Sequence, residues 1–275
     1  MLEYPEAQTI ARQLNETCRG RRIERFEALH DPHGFAFLTP NDPETMSGMM
    51  CGKRMNIAHG YGGRVVVDAD DMRLTLNDGI NLRYHAPGDD RPTKHQLLIE
   101  LDDDAALSAT ISMYGFIGCQ HEDDATDSYH NAAVEKPAPL SDAFDYAYFT
   151  AICDACKPTL SVKALLATEQ RIPGLGNGVL QDILFNARLH PKRKLASLSA
   201  DDRKTLFDCV KRTLLAMTAG GGRDVEKDLF GVAGGYKTLL SNKTLKHPCP
   251  VCGGALVRQA YLGGNVYFCP TCQPL

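Results

Sequence analysis

Four cysteines near the carboxyl terminus form two pairs whose spacing is typical of a metal site. Cys249 and Cys252 are separated by two residues, and Cys269 and Cys272 repeat that spacing after 16 intervening residues. Four thiolates in this pattern match tetrahedral zinc, and because all four positions are filled, the ion would be structural rather than catalytic. Disulfides are the alternative, and the absence of an export signal argues against them. We predict one structural zinc ion.

Two acidic residues near the amino terminus, Glu3 and Glu6, could carry out proton transfer. They stand at the start of a stretch in which Ile10 and Leu14 lie one helical turn apart, with Pro5 in the first turn. Carboxylates at this end of a helix are also stabilised by the helix dipole. Helix-start charges are therefore the alternative to catalytic groups.

The stretch over residues 162–193 predicts two helices separated by a glycine turn that could hold a phosphate. Gly174 and Gly176 interrupt the apolar periodicity, and Asn177 stands where the second helix needs an N-cap. Two glycines allow backbone N–H groups to converge, the helix contributes its positive end, and Asn177 can donate from its amide. An ordinary helix hairpin is the alternative.

The charge is divided unevenly along the chain. The formal net charge is −4, but residues 151–275 contain 17 Lys and Arg against 9 Asp and Glu, whereas residues 1–150 contain 13 against 25. This asymmetry indicates that phosphates would be bound mainly by the carboxyl-terminal half, where Lys163 and Lys243 are candidate contacts. Solvated surface charge is the alternative.

The elements that must position these residues predict an α+β multidomain protein. Short alternating stretches between residues 22 and 119 predict an antiparallel β-sandwich or flattened barrel behind the amino-terminal helix. An acidic stretch over 121–136, followed by two prolines, predicts an interdomain linker. The predicted regions are a β-sandwich domain over 1–130, a linker over 131–140, a helical domain over 141–235 and a zinc β-hairpin over 236–275.

Within the helical domain, residues 141–156 predict a helix capped by Ser141, and residues 201–217 predict one capped by Ser199. Cys153 and Cys156 share the C-x-x-C spacing, but they lie on a predicted helix without a surrounding βαβ pattern. We therefore interpret them as buried thiols rather than a redox or metal pair.

The composition predicts neither a membrane span nor a secretory signal. There is no run of 18 apolar residues, and the opening MLEYPEAQ lacks a basic region and an apolar core. We expect a cytoplasmic protein, associated with the nucleoid if the source is bacterial.

Three segments in order resemble the formamidopyrimidine-DNA glycosylase and endonuclease VIII family. They are the opening MLEYPE, the stretch GLGNGVLQDILFNARLHP, which is similar to the family's helix-two-turn-helix motif, and the closing knuckles with YFCPTCQ. The resemblance covers most of the chain and implies a monomeric two-domain clamp that flips a base out of damaged or abasic duplex DNA. By position, it implies that Glu3 is the proton-handling glutamate, Glu6 the second acidic residue and Asn177 the phosphate-binding asparagine.

The resemblance also implies a catalytic amine, and here the chain departs from the family. In the family an amino-terminal proline attacks the sugar C1′ and forms a Schiff base, whereas this chain has Leu2. A bulky second residue is expected to retain Met1, which displaces the amine by up to about 3.8 Å. Since a misplacement of about 1 Å can cost two orders of magnitude in rate, we expect weak or absent lyase activity. If Met1 is removed, the primary amine of Leu2 would be the nucleophile.

Other family positions differ as well. The family's strand lysine is replaced by Gly63 or, with a shift of one residue, by Arg64. The segment that normally ends in a space-filling methionine reads Asp78-Gly79-Ile80, and the arginine–phenylalanine wedge falls around residues 115–117 without an arginine. In the zinc hairpin, the family's arginine falls on Gly264.

Some residues could replace the lost parts. Ile80 and Phe116 could act as apolar wedges between base steps, and the alternative is that both belong to the sandwich core. His59, His85 and His95 could supply functional groups, but isolated histidines in strands and loops are more typical of surface or core positions.

Two functional hypotheses of different class follow. The first is a divergent DNA glycosylase of base excision repair, in which Glu3 activates water or assists base departure and lyase activity is weak or absent. The second is a catalytically inactive module that binds DNA lesions or recruits other factors through the clamp, Asn177 and the zinc hairpin. The family resemblance favours the first.

Overall fold

The computed structural model describes residues 1–124 and 128–275 and divides the chain into two compact units. The first unit is Met1–Asp127 with Gly221–Gly235, and the second is Ser128–Gly220 with Tyr236–Leu275. The glycine-rich segment 221–235, predicted to belong to the helical domain, thus lies in the first unit. Residues 125–127, within the acidic stretch predicted to form the linker, lie outside the described residues.

The first unit has two helices and a sheet of seven strands in its described residues. Their bounds in chain order are α1 (Tyr4–Thr17), β1 (Ile23–Ala28), β2 (Ala36–Thr39), α2 (Pro43–Met50), β3 (Met55–Tyr61), β4 (Arg64–Ala69), β5 (Met72–His85), β6 (Leu97–Leu101) and β7 (Ala106–His121). The strand order is β1-β6-β7-β5-β4-β3, and β2 pairs with β7. The predicted antiparallel β-sandwich with an amino-terminal helix is confirmed, although the β2–β7 pairing is parallel.

The long strands β5 and β7 connect the two halves of this sheet. Residues 72–78 of β5 pair with 115–121 of β7, residues 80–85 pair with 106–111, and the register shifts between the two segments. Gly79 lies at the shift, where a Cβ atom would stand 1.9 Å from the Ser112 carbonyl oxygen. Only glycine allows the two backbones to approach this closely. The apolar core draws on strands from both halves and on the buried face of α1.

The second unit is helical and ends in a hairpin. Its elements are α3 (Ser128–Glu135), α4 (Tyr146–Asp154), α5 (Val162–Ala167), α6 (Val179–Asn186), α7 (Ala200–Ala219), β8 (Val257–Tyr261) and β9 (Gly264–Phe268). The predicted Ser199 cap is confirmed, because Ser199 and Asp202 form a reciprocal capping box at the start of α7. The predicted helical and zinc-hairpin parts of the fold are likewise present.

The helix that was predicted to have Ser141 as its N-cap begins instead at Tyr146. Asp145 is the N-cap of α4, and its carboxylate accepts a hydrogen bond of 2.7 Å from the Tyr148 amide. Ser141 instead donates from its hydroxyl to the Ala138 carbonyl oxygen at 2.8 Å. The prediction of a Ser141 cap was wrong because serine forms turns as readily as helix caps, and here its hydroxyl is used in a turn.

The C-x-x-C pair of the helical unit packs in an apolar environment. Cys153 is buried against the core of α4 and α7, and burial raises the pKa of its thiol to about 11. Cys156 is half-buried. A neutral buried thiol is not a redox nucleophile, which agrees with the interpretation from the sequence. None of the helices in the described ranges is long and apolar enough to cross a lipid bilayer.

Candidate nucleic-acid interface and acidic site

The amino-terminal end of α1 holds a buried ionic cluster. Glu3 is the N-cap of α1 and Glu6 lies in its first turn, and each side chain is 4% exposed. Arg223, from the segment 221–235, is 2% exposed. Its Nε and Nη2 atoms each donate to the Glu6 carboxylate at 2.9 Å, and its Nη1 atom lies 3.7 Å from Glu3 Oε2. One guanidinium therefore compensates both acidic residues that the sequence indicated.

The charge of this cluster is balanced in spite of its burial. Burial alone would lower the pKa of the Arg223 guanidinium, but the negative charges of Glu3, Glu6 and Glu226 outweigh that effect and raise it. Arg223 also receives support at its backbone, since its amide donates to Glu6 Oε1 at 3.1 Å. The sequence signal for Arg223 was weak, because it is one charged residue in a glycine-rich loop.

The α-amino group of Met1 forms an ion pair within the first unit. The Met1 α-ammonium group donates to Glu226 Oε2 at 2.8 Å, and the Leu2 amide donates to the Asp78 carbonyl oxygen at 2.7 Å. The Leu2 side chain is buried in the core. With Met1 present, the nitrogen of Leu2 is a backbone amide in a hydrogen bond. The predicted nucleophilic role of Leu2 therefore requires removal of Met1.

The position of the family's strand lysine is tightly packed in this chain. A Cβ atom on Gly63 would lie 3.0 Å from the Leu2 carbonyl oxygen, so a lysine there would force the amino terminus to shift. Arg64 is buried, and its guanidinium lies 6.0 Å from the centre of the Phe116 ring. Burial raises the pKa of Asp78, and the charge of Arg64 acts in the opposite direction. Arg64 thus lies beside Phe116 and is close enough to Asp78 to favour its charged form.

The two wedge candidates have different environments. Ile80 is 2% exposed and belongs to the core of the first unit, which matches the alternative of a core residue. Phe116 is half-buried on β7, beside Arg64. For Phe116, contact with DNA bases stays a prediction. His59 on β3 is half-buried and stacks on Tyr61 with ring centres 5.4 Å apart. His85 forms a hydrogen bond of 2.8 Å with the Ser108 hydroxyl.

The predicted phosphate turn lies between α5 and α6 in the second unit. Gly174 has a φ of +77°, which favours glycine, and its amide donates to Gln170 Oε1 at 3.0 Å. The N-cap of α6 is Gly178 rather than Asn177, so that part of the prediction was wrong. Asn177 lies one residue before this cap. Its side chain does not cap the helix, because Nδ2 donates to the Asn265 carbonyl oxygen of the hairpin at 2.9 Å.

Polar side chains of α5 and α6 form hydrogen bonds with the backbone of the β8–β9 hairpin. Gln181 donates to the Asn265 carbonyl oxygen at 3.1 Å and accepts from the Tyr267 amide at 3.0 Å. The Lys163 ammonium donates to the Tyr261 carbonyl oxygen, and burial lowers its pKa. The buried Lys163 thus orients the hairpin turn, while the direct DNA contact predicted for it stays a prediction. Lys243 is exposed.

Two further buried residues that the sequence did not single out hold the same region together. Both oxygens of Asp182 accept backbone amide hydrogens, from Leu239 and Leu240, each at 2.8 Å. The Gln273 side chain donates to the Leu189 carbonyl oxygen at 2.9 Å. Polar residues such as Asp182 inside the apolar sequence VLQDILFN were the available signal, since buried polar groups need partners.

The four cysteine sulfurs of the hairpin lie in a geometry that fits zinc. All four are within 4.8 Å of one another. Cys249 and Cys272 Sγ are 3.8 Å apart, and Cys252 and Cys269 Sγ are 3.5 Å apart. Thiolates bound to one tetrahedral zinc at about 2.3 Å are separated by roughly 3.8 Å, whereas a disulfide bond measures about 2.05 Å. The predicted ligand set thus fits a tetrahedral metal ion.

Structural features of the two units indicate the class of protein to which the chain is similar. The first combines a β-sandwich with a buried acidic cluster at the start of its first helix, and the second combines paired helices around a glycine turn with a four-cysteine hairpin. A family model described as the formamidopyrimidine-DNA glycosylase H2TH domain matches residues 136–227.

Relatives extend the match to the full length. The chain is 28% identical to a formamidopyrimidine-DNA glycosylase of Roseiflexus sp. strain RS-1, over 99% of this chain and 100% of that one. It is 26% identical to the enzyme of that name from Lactobacillus delbrueckii subsp. bulgaricus, over 99% of both chains. The chain is thus similar over its full length to proteins named formamidopyrimidine-DNA glycosylase, and its residues 136–227 match the H2TH domain of that family.

Solved structures share the fold. The MutM (Fpg) protein of Thermus thermophilus has a TM-score of 0.80 at 22% identity, with 98% of each chain covered. A complex between the Lactococcus lactis Fpg and DNA containing an abasic site has a TM-score of 0.83 at 20% identity, covering 99% of this chain and 100% of that one. The fold class predicted from the sequence is confirmed.

Proposed function

We propose that this protein is a divergent DNA glycosylase of base excision repair that binds damaged or abasic duplex DNA and excises a modified base, with weak or absent lyase activity. The observation that carries the proposal is the Glu3 carboxylate, held at the start of α1 beside Arg223. It occurs in a chain related over its full length to proteins named formamidopyrimidine-DNA glycosylase. The structure of Lactococcus lactis Fpg with abasic-site DNA supports the same substrate class.

The buried cluster supports the proposal that Glu3 handles protons. Arg223 gives its two shortest ion-pair contacts to Glu6 and stands at the longer distance of 3.7 Å from Glu3. Glu6 is therefore a positioning residue that orients the guanidinium, and Glu3 is the carboxylate proposed to take a proton from the attacking water. A positioned general base of this kind contributes about 10² to 10⁴ in rate.

The structure around the amino terminus is consistent with the proposed weak or absent lyase activity. Schiff-base formation needs an unprotonated amine, but the Met1 amine is engaged as an ammonium ion with Glu226 at 2.8 Å. The family's strand lysine falls on Gly63, where a Cβ atom would lie 3.0 Å from the Leu2 carbonyl oxygen, so a side chain there would require a small shift of the backbone. Both features disfavour Schiff-base formation by the terminal amine, and neither involves the Glu3 carboxylate.

The second unit is proposed to supply the grip on the DNA backbone. The glycine turn, Asn177 and the exposed Lys243 are the proposed contacts, and zinc bound to the four cysteines would supply structural stability to the hairpin. Asn177 links the turn to the hairpin through Asn265. A monomeric state and a cytoplasmic location stay predictions.

A second candidate function is a lesion-binding module without catalysis. The observation that favours it is the ion pair between the Met1 amine and Glu226, because it occupies the terminal amine that the family resemblance would use for attack on the sugar. Such a module would bind damaged duplexes through the second unit and release no base.

Base release from a panel of oxidised, alkylated and crosslinked duplexes distinguishes the two candidates. We expect the parent protein to release at least one modified base, and Glu3→Gln to slow that release by about 10² to 10⁴ while duplex binding is kept. Glu24→Gln is the matched control, because Glu24 is an exposed glutamate of β1. Binding of damaged duplexes by the parent without release of any base would favour the lesion-binding module.

Intact mass and borohydride trapping test the amine separately. A protein that retains Met1 is expected to give little covalent adduct with an abasic duplex. Efficient trapping by that form would contradict the proposed loss of lyase activity, and the site of attachment would identify the amine.

Replacing Asn177 with alanine is expected to weaken binding to any duplex by about 1 to 3 kcal/mol, the cost of losing a hydrogen bond to a charged group. Fluorescence anisotropy with undamaged and abasic duplexes measures the change, and Asn242→Ala, an exposed asparagine of the same unit, is the control. Because Asn177 also holds the hairpin, zinc content is measured in parallel. Unchanged affinity with full zinc content would remove Asn177 from the proposed DNA contact.

A further inference from the structure

Three side chains of the first unit converge away from the acidic cluster at α1. Glu27 lies on β1, His30 follows that strand, and His95 precedes the neighbouring strand β6. Their ligand-capable atoms all lie within 4.8 Å of one another. His30 Nδ1 is 2.9 Å from Glu27 Oε1, and His95 Nε2 is 3.7 Å from Glu27 Oε2. The sequence analysis left His95 as an isolated histidine, and the fold supplies its neighbours.

The hydrogen bonding of His95 leaves one buried nitrogen to be satisfied. The side chain is 6% exposed, and its Nδ1 atom lies 3.1 Å from the Pro92 carbonyl oxygen, which can only accept. Nδ1 therefore carries the hydrogen, and in the neutral ring the lone pair lies on Nε2. Nε2 is buried and has no hydrogen-bond partner among the described residues. The lone pair of Nε2 and Glu27 Oε2, 3.7 Å apart, favour a cation at Nε2, which is either a proton or a metal ion.

The backbone holds the three groups in place. The Leu29 amide donates to the Gln96 carbonyl oxygen at 2.7 Å, and the His95 amide donates to Asp31 Oδ2 at 2.8 Å. The His30 and His95 rings stack with their centres 4.7 Å apart. A hydrogen bond from the second ring nitrogen to a carbonyl oxygen is the usual support of a metal-binding histidine, and Pro92 provides it here. His95 is therefore fixed in place, whereas His30, which stacks on it and is half exposed, would turn out of the stack for both ring nitrogens to point at one ion.

We propose that Glu27, His30 and His95 form a second metal site, which takes a divalent transition-metal ion of the zinc class. Two imidazoles and one carboxylate are a known zinc ligand set that leaves a fourth position for water. Ligand atoms about 2.0 to 2.2 Å from a tetrahedral ion are separated by roughly 3.4 Å. The 2.9 Å distance joins His30 to Glu27 Oε1 and the 3.7 Å distance joins His95 to Glu27 Oε2, so the carboxylate offers one oxygen to each histidine. His30 is half exposed, so the open position faces solvent.

One neighbouring cation competes with the ion. Arg25 Nη2 lies 2.8 Å from Glu27 Oε2, and the same side chain reaches Glu100 at 3.4 Å. Arg25 is 56% exposed and can turn away from Glu27 when a metal binds. Its presence lowers the affinity of the site, so Arg25→Gln is expected to tighten metal binding.

Zinc titration of the full-length protein, with its cysteine hairpin already zinc-loaded, tests the site. Calorimetry and metal analysis after gel filtration are expected to show one further zinc ion per chain. His30→Gln and His95→Gln are expected to weaken that second event by at least about tenfold, and Arg25→Gln to strengthen it. His33→Gln, a histidine of the same loop outside the cluster, is the matched control and is expected to keep it.

The outcomes separate a built site from adventitious binding. Because His95 is buried, His95→Gln could fail to fold, and the exposed His30 then provides the deciding variant. No second ion in the parent at millimolar zinc would show that a proton satisfies His95 and would overturn the proposal. An equal loss in His33→Gln would indicate nonspecific binding to surface histidines and would overturn it too. Neither result bears on base release, so this test is independent of the proposed glycosylase function.

Discussion

Replacing Arg223 with methionine is expected to destabilise the first unit by about 3 to 5 kcal/mol, the usual cost of removing one partner of a buried ion pair. The guanidinium is 2% exposed and makes two bonds of 2.9 Å to Glu6. Without it, the buried carboxylates of Glu3 and Glu6 lose the guanidinium that contacts both of them. We expect this to be the most destabilising single substitution in the unit.

Urea unfolding followed by circular dichroism measures the loss. The double variant Arg223→Met with Glu6→Gln is expected to recover part of the stability, because it removes one of the unpaired charges. Arg12→Met is the matched control, since Arg12 forms an exposed pair with Glu16 on the same helix and its loss should change little. Equal stability of Arg223→Met and the parent would show that the buried network does not hold the segment 221–235.

The second large effect is expected at the zinc knuckles. Cys269→Ser should reduce the zinc content from one ion per chain to near zero and unfold the hairpin, because structural zinc contributes on the order of 10 kcal/mol to the folding of such small units. The Cys269 sulfur is fully buried and lies 3.5 Å from Cys252 Sγ. Its amide also donates to Gln273 Oε1 at 3.0 Å, so the knuckle and the residues after it are fastened together.

Metal analysis and hydrogen exchange over residues 249–272 detect this loss directly. Cys156→Ser is the control, because it removes a half-buried thiol of the same unit that lies outside the knuckles. Hydrogen exchange in the Cys269→Ser variant should rise across β8 and β9, while α7 keeps its protection. A Cys269→Ser protein with full zinc content would contradict the ligand assignment.

Local sequence patterns were enough to predict the cysteine cluster, most strands and the start of α7. The spacing of Cys249, Cys252, Cys269 and Cys272 was enough to predict four sulfurs that lie close enough to hold a metal ion, because both knuckles are short segments whose geometry is local. The alternation of apolar residues predicted the strands, and Ser199 as a cap predicted the start of α7. The family motifs added the order of these pieces along the chain. Each of these signals acts over a few residues, and that is the range within which a sequence pattern reports geometry.

The tertiary structure decided which distant residues share an environment. Arg223 and Glu6 are 217 positions apart and form the central ion pair of the first unit. Asn177 was predicted as a helix cap and instead bonds to the backbone of Asn265, 88 positions away. His95 was an isolated histidine until the pairing of β1 with β6 brought it beside Glu27. Such contacts depend on chain topology and on the need of buried polar groups for partners, and neither is encoded in local periodicity.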